Sequence, residues 1–243
     1  MPGNASEQLE VRERTVGQYL PAWCASHSRP ERLDPSALIC PDWSFLTPGL
    51  AHWFLTAIDE GVVEVSDGDV RRGNSWSEGI FEHGPKGVPR PMKLRKESFL
   101  EIAAVGMLAV RYGWPSDRLR FQSPGWAFDF LAYVDDAFSE VAIAGEAKLL
   151  QEDALGLSAS LKVCGGRGDH PEADCTQPRN YHRKYAGLLK SRPRILWIVG
   201  PEAFAADPDL TFRVEESSGD IVRLHRIDAG ELTFSRAGRS RVR

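Results

Sequence analysis

Residues 126–148 read WAFDFLAYVDDAFSEVAIAGEAK: two apolar runs joined by a polar turn, each carrying acid where a core would exclude it. Asp129 lies in the first run, and Glu146 closes the second with Lys148 two residues on. Period-two alternation and the intervening DDAFSE turn predict two antiparallel strands. On such strands Asp129 shares a face with Leu131 and Tyr133, and Glu146 with Ala144 and Lys148. Pairing Val134 with Val141, at the turn ends of the two runs, sets Asp129 opposite Glu146. Like charges facing each other weaken a sheet, and a buried carboxylate either costs several kcal/mol or retains its proton. Lys148 can neutralise one of the two acids. A divalent ion satisfies both, and carboxylate and backbone oxygens suit Mg²⁺ or Mn²⁺. The alternative is purely structural: Glu146 pairs with Lys148, and Asp129 accepts backbone donors.

The flanking segments supply a consistent order of elements. ESFLEIAAVGMLAVRYGW puts Phe99, Ala103, Met107 and Val110 near one helical face and ends at Gly113 and Pro115. RLRFQS is a strand candidate before the two central ones. LLQEDALGLSASLKV predicts a helix stopped by Gly165 and Gly166, NYHRKYAGLLKSR a second helix, and RILWIVGP a buried strand. TFRVEE and IVRLHRI then flank a turn at Ser217–Asp220 as a hairpin.

An acid on one strand followed by Glu-x-Lys on the next, behind a Glu-bearing helix, resembles the PD-(D/E)XK nuclease superfamily. The residues that carry the likeness are Asp129 in FDF, GEAK at 145–148, and Glu97 and Glu101 one turn apart on the helix, over about residues 95–201. The resemblance implies an α/β fold with a restriction-endonuclease-like αβββαβ core, and hydrolysis of DNA phosphodiesters in restriction, repair or defence. It implies that Asp129, Glu146 and the Ala147 carbonyl hold Mg²⁺ or Mn²⁺ and that Lys148 orients the attacking water. Glu101, preferred over Glu97, would hold a water of the metal shell or a second ion. His182 and Lys184 would contact phosphate. DNA is the implied partner, with a homodimer or larger complex where both strands are cut. Two departures stand out: Phe128 takes the place of the motif proline, and the segment between Lys148 and the second helix is long. A nuclease-fold module that binds nucleic acid without cutting it is the competing expectation.

Between Arg179 and Arg194 the chain carries Arg179, Arg183, Lys184, Lys190, Arg192 and Arg194 with no acid, interleaved with Tyr181, His182 and Tyr185. Such a stretch is either a nucleic-acid surface, cations on phosphate and aromatics on bases, or a solvated helix face. Just before it, Cys164, His170, Cys175 and His182 lie in a Gly- and Pro-rich context. They are ligand types for a structural Zn²⁺, although their spacing matches no standard pair; otherwise they belong to a loose loop with reduced thiols. A zinc-stabilised interaction protein is therefore a third expectation.

The remaining features bound these readings. A chain of 243 residues with 42% hydrophobic and 26% charged residues has the composition of a folded domain. Its formal net charge of -4 excludes a uniformly basic nucleic-acid coat protein. Four cysteines are too few for a disulfide scaffold, and neither a secretory leader nor a membrane-length apolar run is evident. A cytoplasmic protein without a membrane partner is expected. The division expected is a mostly helical extension over 1–95, a core with its hairpin over 96–235, and a basic tail over 236–243. Within the extension, Leu9, Val16, Tyr19, Leu20 and Trp23 approximate one helical face, AHWFLTAIDEG is a second helix, VVEVSDGDVRR is a hairpin, and 70–91 reads as irregular.

Overall fold

A computed structural model describes residues 4–26, 33–39, 42–72, 75–84, 90–121, 127–168, 170–204, 210–217 and 221–235. The basic tail lies outside these residues. Helix α1 (Ala5–Arg14) opens with a reciprocal cap, in which Asn4 accepts from the Glu7 N–H and the Glu7 carboxylate accepts from the Asn4 N–H. A π turn over Thr15–Tyr19 leads into α2 (Leu20–Ser26). The wider turn rotates the apolar stripe. Val11, Thr15, Tyr19, Leu20 and Trp23 are buried, while Leu9 and Val16, expected on that face, are 55% and 44% exposed.

After β1 (Leu33–Leu38), α3 (Pro48–Asp59) starts at Thr47, whose hydroxyl accepts from the Leu50 N–H. The expected hairpin forms from β2 (Glu64–Ser66) and β3 (Asp69–Arg72), and its turn holds Asp67 and Gly68 at φ 55° and 75°. The described part of the stretch expected to be irregular holds β4 (Ser75–Gly79), β5 (Phe81–His83) and the first residues of β6 (Arg90–Leu94). Two small sheets result, ordered β2-β3-β4 and β1-β6-β5, so the extension is not mostly helical. SWSEG, FEH and RPMKL contain no β-branched residue and mix Ser, Gly, Pro and charge into any apolar alternation, which is why they were expected as loop.

Helix α4 (Lys96–Val110) is buried all round from Ser98 to Leu108 and packs on α3, where the Phe54 and Phe99 rings stack at 4.9 Å. One apolar cluster takes in residues on both sides of position 95, so no core boundary falls there. Val110, expected on the packed face, is exposed because the helix ends as it leaves that cluster.

The main sheet comprises β7 (Leu119–Phe121), β8 (Phe130–Tyr133), β9 (Val141–Ala147), β10 (Ile195–Val199), β11 (Thr211–Ser217) and β12 (Ile221–Arg226). Its spatial order is β12-β11-β10-β9-β8-β7, with only β9 and β10 parallel. The crossover between that parallel pair carries α5 (Gln151–Arg167) and α6 (Arg179–Ser191). Beneath one face of the sheet lies the cluster with α3 and α4, and on the other a second cluster with α5 and α6. The fold is thus α/β around a mixed six-stranded sheet. Helix α5 runs through Gly165 and Gly166, expected to stop it, because at Gly165 the β12 backbone comes so near that a Cβ would stand 2.1 Å from the Val222 carbonyl oxygen. No helix among the described residues is long and apolar enough to cross a membrane.

Candidate functional site

The β8–β9 register places the acids. Phe130 pairs with Gly145, Leu131 with Ala144 and Ala132 with Ile143, but Tyr133, not Val134, pairs with Val141. Ala142 is the extra residue of a bulge. The turn-end pairing expected from sequence is therefore off by one, whereas at the other end the expected register holds. There the Asp129 N–H donates to the Gly145 carbonyl at 2.9 Å, and Asp129 Oδ2 accepts from the Ala147 N–H at 2.8 Å. Asp129 is thereby fixed beside the end of β9. On the opposite edge of β9 the Lys148 N–H donates to the Val199 carbonyl at 2.8 Å, which extends the parallel pairing past Glu146.

Glu146 is 1% exposed and both its oxygens are engaged. Lys148 Nζ donates to Oε1 at 2.6 Å and Lys184 Nζ, from α6, to Oε2 at 2.5 Å. Lys184 Nζ also stands 4.0 Å from Asp129 Oδ1, so one ammonium lies between the two acids. Lys148 spends another proton on the Ala147 carbonyl at 2.8 Å. Burial, and then Asp129, push the Glu146 carboxyl up to about 7, while Lys184 and Lys148 pull against them. Burial works against the Lys148 ammonium, yet Glu146, Asp129 and Glu97 hold its pKa above the ordinary value.

Glu101, on the inner face of α4, is 5% exposed. Burial raises its pKa well above the ordinary range, Glu78 and Asp129 add to the rise, and Arg95 opposes it. Glu97 is closer to solvent; burial raises it too, with Lys148 pulling the other way. The sequence reading missed Glu78. This buried residue of β4 accepts from Ser98 Oγ at 2.8 Å, pairs with Arg95 at 2.9 Å, and hydrogen-bonds Glu101. Burial raises its pKa as well, against the pull of Arg95. A lone Glu in SWSEGIF carries no periodic signal of burial, so nothing in the sequence singled it out. Five carboxylates thus gather around three cations, Arg95, Lys148 and Lys184. Such a site holds surplus negative charge or retains protons, and a bound cation would relieve either condition.

Along α6 the structure divides the residues expected to touch nucleic acid. Tyr185 is 1% exposed and His182 is buried, since both lie on the face packed against α5, so neither can stack on a base or reach a phosphate. Arg183 is exposed. Arg179 pairs with Glu172 at 2.7 Å, Arg192 with Glu216 at 3.2 Å and Arg194 with Glu140 at 2.5 Å, so much of the basic run is already compensated. Lys184 is turned into the acid cluster.

The second expected constellation does come together. One ligand atom from each of Cys164, His170, Cys175 and His182 lies within 4.8 Å of all the others, a group that could bind a metal such as zinc. Burial and the neighbouring Cys175 push the Cys164 thiol up to about 12. At Cys175 burial acts the same way, but the adjacent His170 ring, the Gln177 backbone, Cys164 and His182 outweigh it and bring the thiol down to about 6.

No family model, curated protein or solved structure matches the chain.

Proposed function

We propose that the chain is a metal-dependent phosphodiesterase that hydrolyses DNA, with α4, β7, β8, β9, the α5–α6 crossover and β10 serving as a restriction-endonuclease-like αβββαβ core. The observation that carries this reading is the pair Asp129 and Glu146 at adjoining strand ends, with one ammonium between them and another on Glu146. A cationic centre already occupies the space the two acids share, so the fold tolerates positive charge there. The available donors, carboxylate oxygens and the Ala147 carbonyl, are hard ligands of the kind Mg²⁺ and Mn²⁺ prefer.

Asp129, Glu146 and the Ala147 carbonyl are the residues that would hold the ion, which when bound polarises a phosphoryl oxygen and acidifies water. Lys148 keeps its charge beside Glu146 and orients the nucleophile while countering charge on the phosphate. Lys184, which stands beside both acids, would be the group that meets a phosphate oxygen. Glu101, whose burial favours the neutral form, would hold a water of the metal shell, and Glu78, hydrogen-bonded to it and paired with Arg95, fixes its orientation. Exposed Arg183 on α6 steers the backbone of the nucleic acid. The expected products carry a 5′-phosphate and a 3′-hydroxyl.

Plasmid DNA incubated with the protein tests this. Nicking or linearisation should require Mg²⁺ or Mn²⁺ and fall at least 100-fold in Glu146→Ala and Lys148→Ala, while both variants keep their fold by circular dichroism. Cleavage that survives Glu146→Ala would refute the assignment. One observation favours a second reading, a nucleic-acid-binding module without turnover: the two lysines saturate both oxygens of Glu146 and form an ionic cluster that needs no metal. Salt-sensitive DNA binding with no cleavage under either ion is the outcome that selects it.

A further inference from the structure

We propose that Cys164, His170, Cys175 and His182 form a closed, tetrahedral zinc site that clamps the 168–178 loop and the first turns of α6 onto the end of α5. The proposal stands apart from the phosphodiesterase reading and would survive its failure.

Four donors of two kinds converge from three parts of the crossover. Cys164 lies in the last turns of α5, His170 and Cys175 in the loop, and His182 in the second turn of α6. Metal–sulfur bonds of about 2.3 Å and metal–nitrogen bonds of about 2.0 Å put tetrahedral donor atoms roughly 3.3 to 3.8 Å apart. The two sulfurs already stand at 3.4 Å, far beyond a disulfide bond, and the whole set lies within 4.8 Å. Small side-chain rotations close the remainder.

The histidines are poised as ligands. His170 Nδ1 lies 2.7 Å from the Gly168 carbonyl oxygen, which forces the N–H onto that nitrogen and leaves a lone pair on Nε2. That arrangement is the outer-shell contact by which proteins orient a metal-binding imidazole. His170 Nε2 and His182 Nδ1 are both buried with no hydrogen bond of normal geometry among the described residues. Leaving two such nitrogens unsatisfied costs about 1–3 kcal/mol each, and one ion satisfies both. The rings are already held in place: His170 stacks on Tyr185 at 5.6 Å and meets His182 edge-on at 5.0 Å.

Charge and local structure point the same way. Two thiolates cancel Zn²⁺, so the occupied site is neutral in a buried position, and the protons leave to solvent as the sulfurs bind. Four protein ligands leave no open position, which is the mark of a structural site. The loop has one short 3-10 turn, Glu172–Asp174, none of whose residues is buried, and α6 begins at Pro178 without a side-chain cap. Among the described residues, the exposed Arg179–Glu172 ion pair is the side-chain tie between this turn and α6, the helix that presents Lys184 to Glu146.

The test uses the full chain, purified with reduced thiols. Elemental analysis should give about one zinc per chain. After chelation, Co²⁺ added to the wild type should produce the intense visible bands of a tetrahedral centre together with a thiolate-to-cobalt charge-transfer band. Cys175→Ser should lower zinc affinity at least 100-fold, and hydrogen exchange over 179–191 should quicken when zinc is stripped from the wild type. A reduced, folded wild type that takes up neither zinc nor tetrahedral cobalt overturns the site. So does undiminished zinc in a Cys164→Ser, Cys175→Ser double variant. Unchanged exchange over α6 overturns the clamp.

Discussion

Burial acts on the Glu146 carboxyl more strongly than its two lysines do, and this order sets how the site answers to pH. The folded-state pKa, about 7, lies above the ordinary 4.5, so the folded protein keeps a proton that the unfolded chain releases. Below pH 4.5 the group is protonated in both states and adds no slope. Between 4.5 and 7 the unfolded chain binds fewer protons, so stability falls as pH rises, by at most about 3 kcal/mol for the whole shift. Above that window both states are ionised and the penalty is constant. Thermal melting of metal-free protein should show this decline, and Glu146→Gln should flatten it; parallel curves for the two proteins would show that burial at Glu146 is not the cause. Lys184 offers a complementary measurement. Because its ammonium stands where an ion shared by Asp129 and Glu146 would sit, Lys184→Ala should tighten Mg²⁺ binding in the absence of DNA roughly tenfold, about 1.4 kcal/mol. Calorimetry showing weaker binding would remove Lys184 as a competitor. Asp129, Glu146 and Lys148 were legible in the sequence because acid inside an apolar alternation contradicts its surroundings. Glu78 was not, since its burial is imposed by Arg95, Ser98 and Glu101, contacts that local pattern does not encode.

The elements readable in advance were those whose period was sustained. Helices α3, α4 and α6 and strands β8 to β12 fall close to their expected spans, whereas in β4 to β6 Ser, Gly, Pro and charged residues break up the apolar alternation. Gly165 shows where a local rule gave way to packing. A helical Gly→Ala change ordinarily gains up to about 1 kcal/mol. Here the new methyl group would meet the backbone of β12, with Val222 carbonyl oxygen at 2.1 Å, and neither partner is a flexible side chain. Overpacking of this kind costs about 1–3 kcal/mol or more, so Gly165→Ala should destabilise on balance, by about 1–2 kcal/mol in urea unfolding. A neutral or stabilising result would mean that α5 and β12 can part freely. The bulge at Ala142 is a second such case. The ends of the apolar runs suggested a uniform register, but the pairing slips between Ala132 and Tyr133 and recovers the expected alignment only on the side of the acids.

At the scale of the molecule, packing and the acid cluster run across the division drawn near residue 95. Glu78 joins the acid cluster from the segment before that point, and Phe54 stacks on Phe99 across it. Residues 96–243 expressed alone should therefore be insoluble or lack cooperative unfolding, whereas Glu78→Gln in the full chain should fold and lose the DNA cleavage proposed above. A soluble, cooperatively melting fragment would restore the boundary. The order in which the site residues occur along the chain has a consequence during synthesis. Glu78, Glu101, Asp129 and Glu146 all leave the ribosome before Lys184 does, and β9 lacks its parallel neighbour until β10 follows. A nascent chain stalled within α5 thus holds the acids but neither the last cation nor the closed sheet. Applied to the proposed activity, translation itself would act as a safety catch: a polypeptide stalled before α6 and β10 would not yet be competent towards nearby nucleic acid.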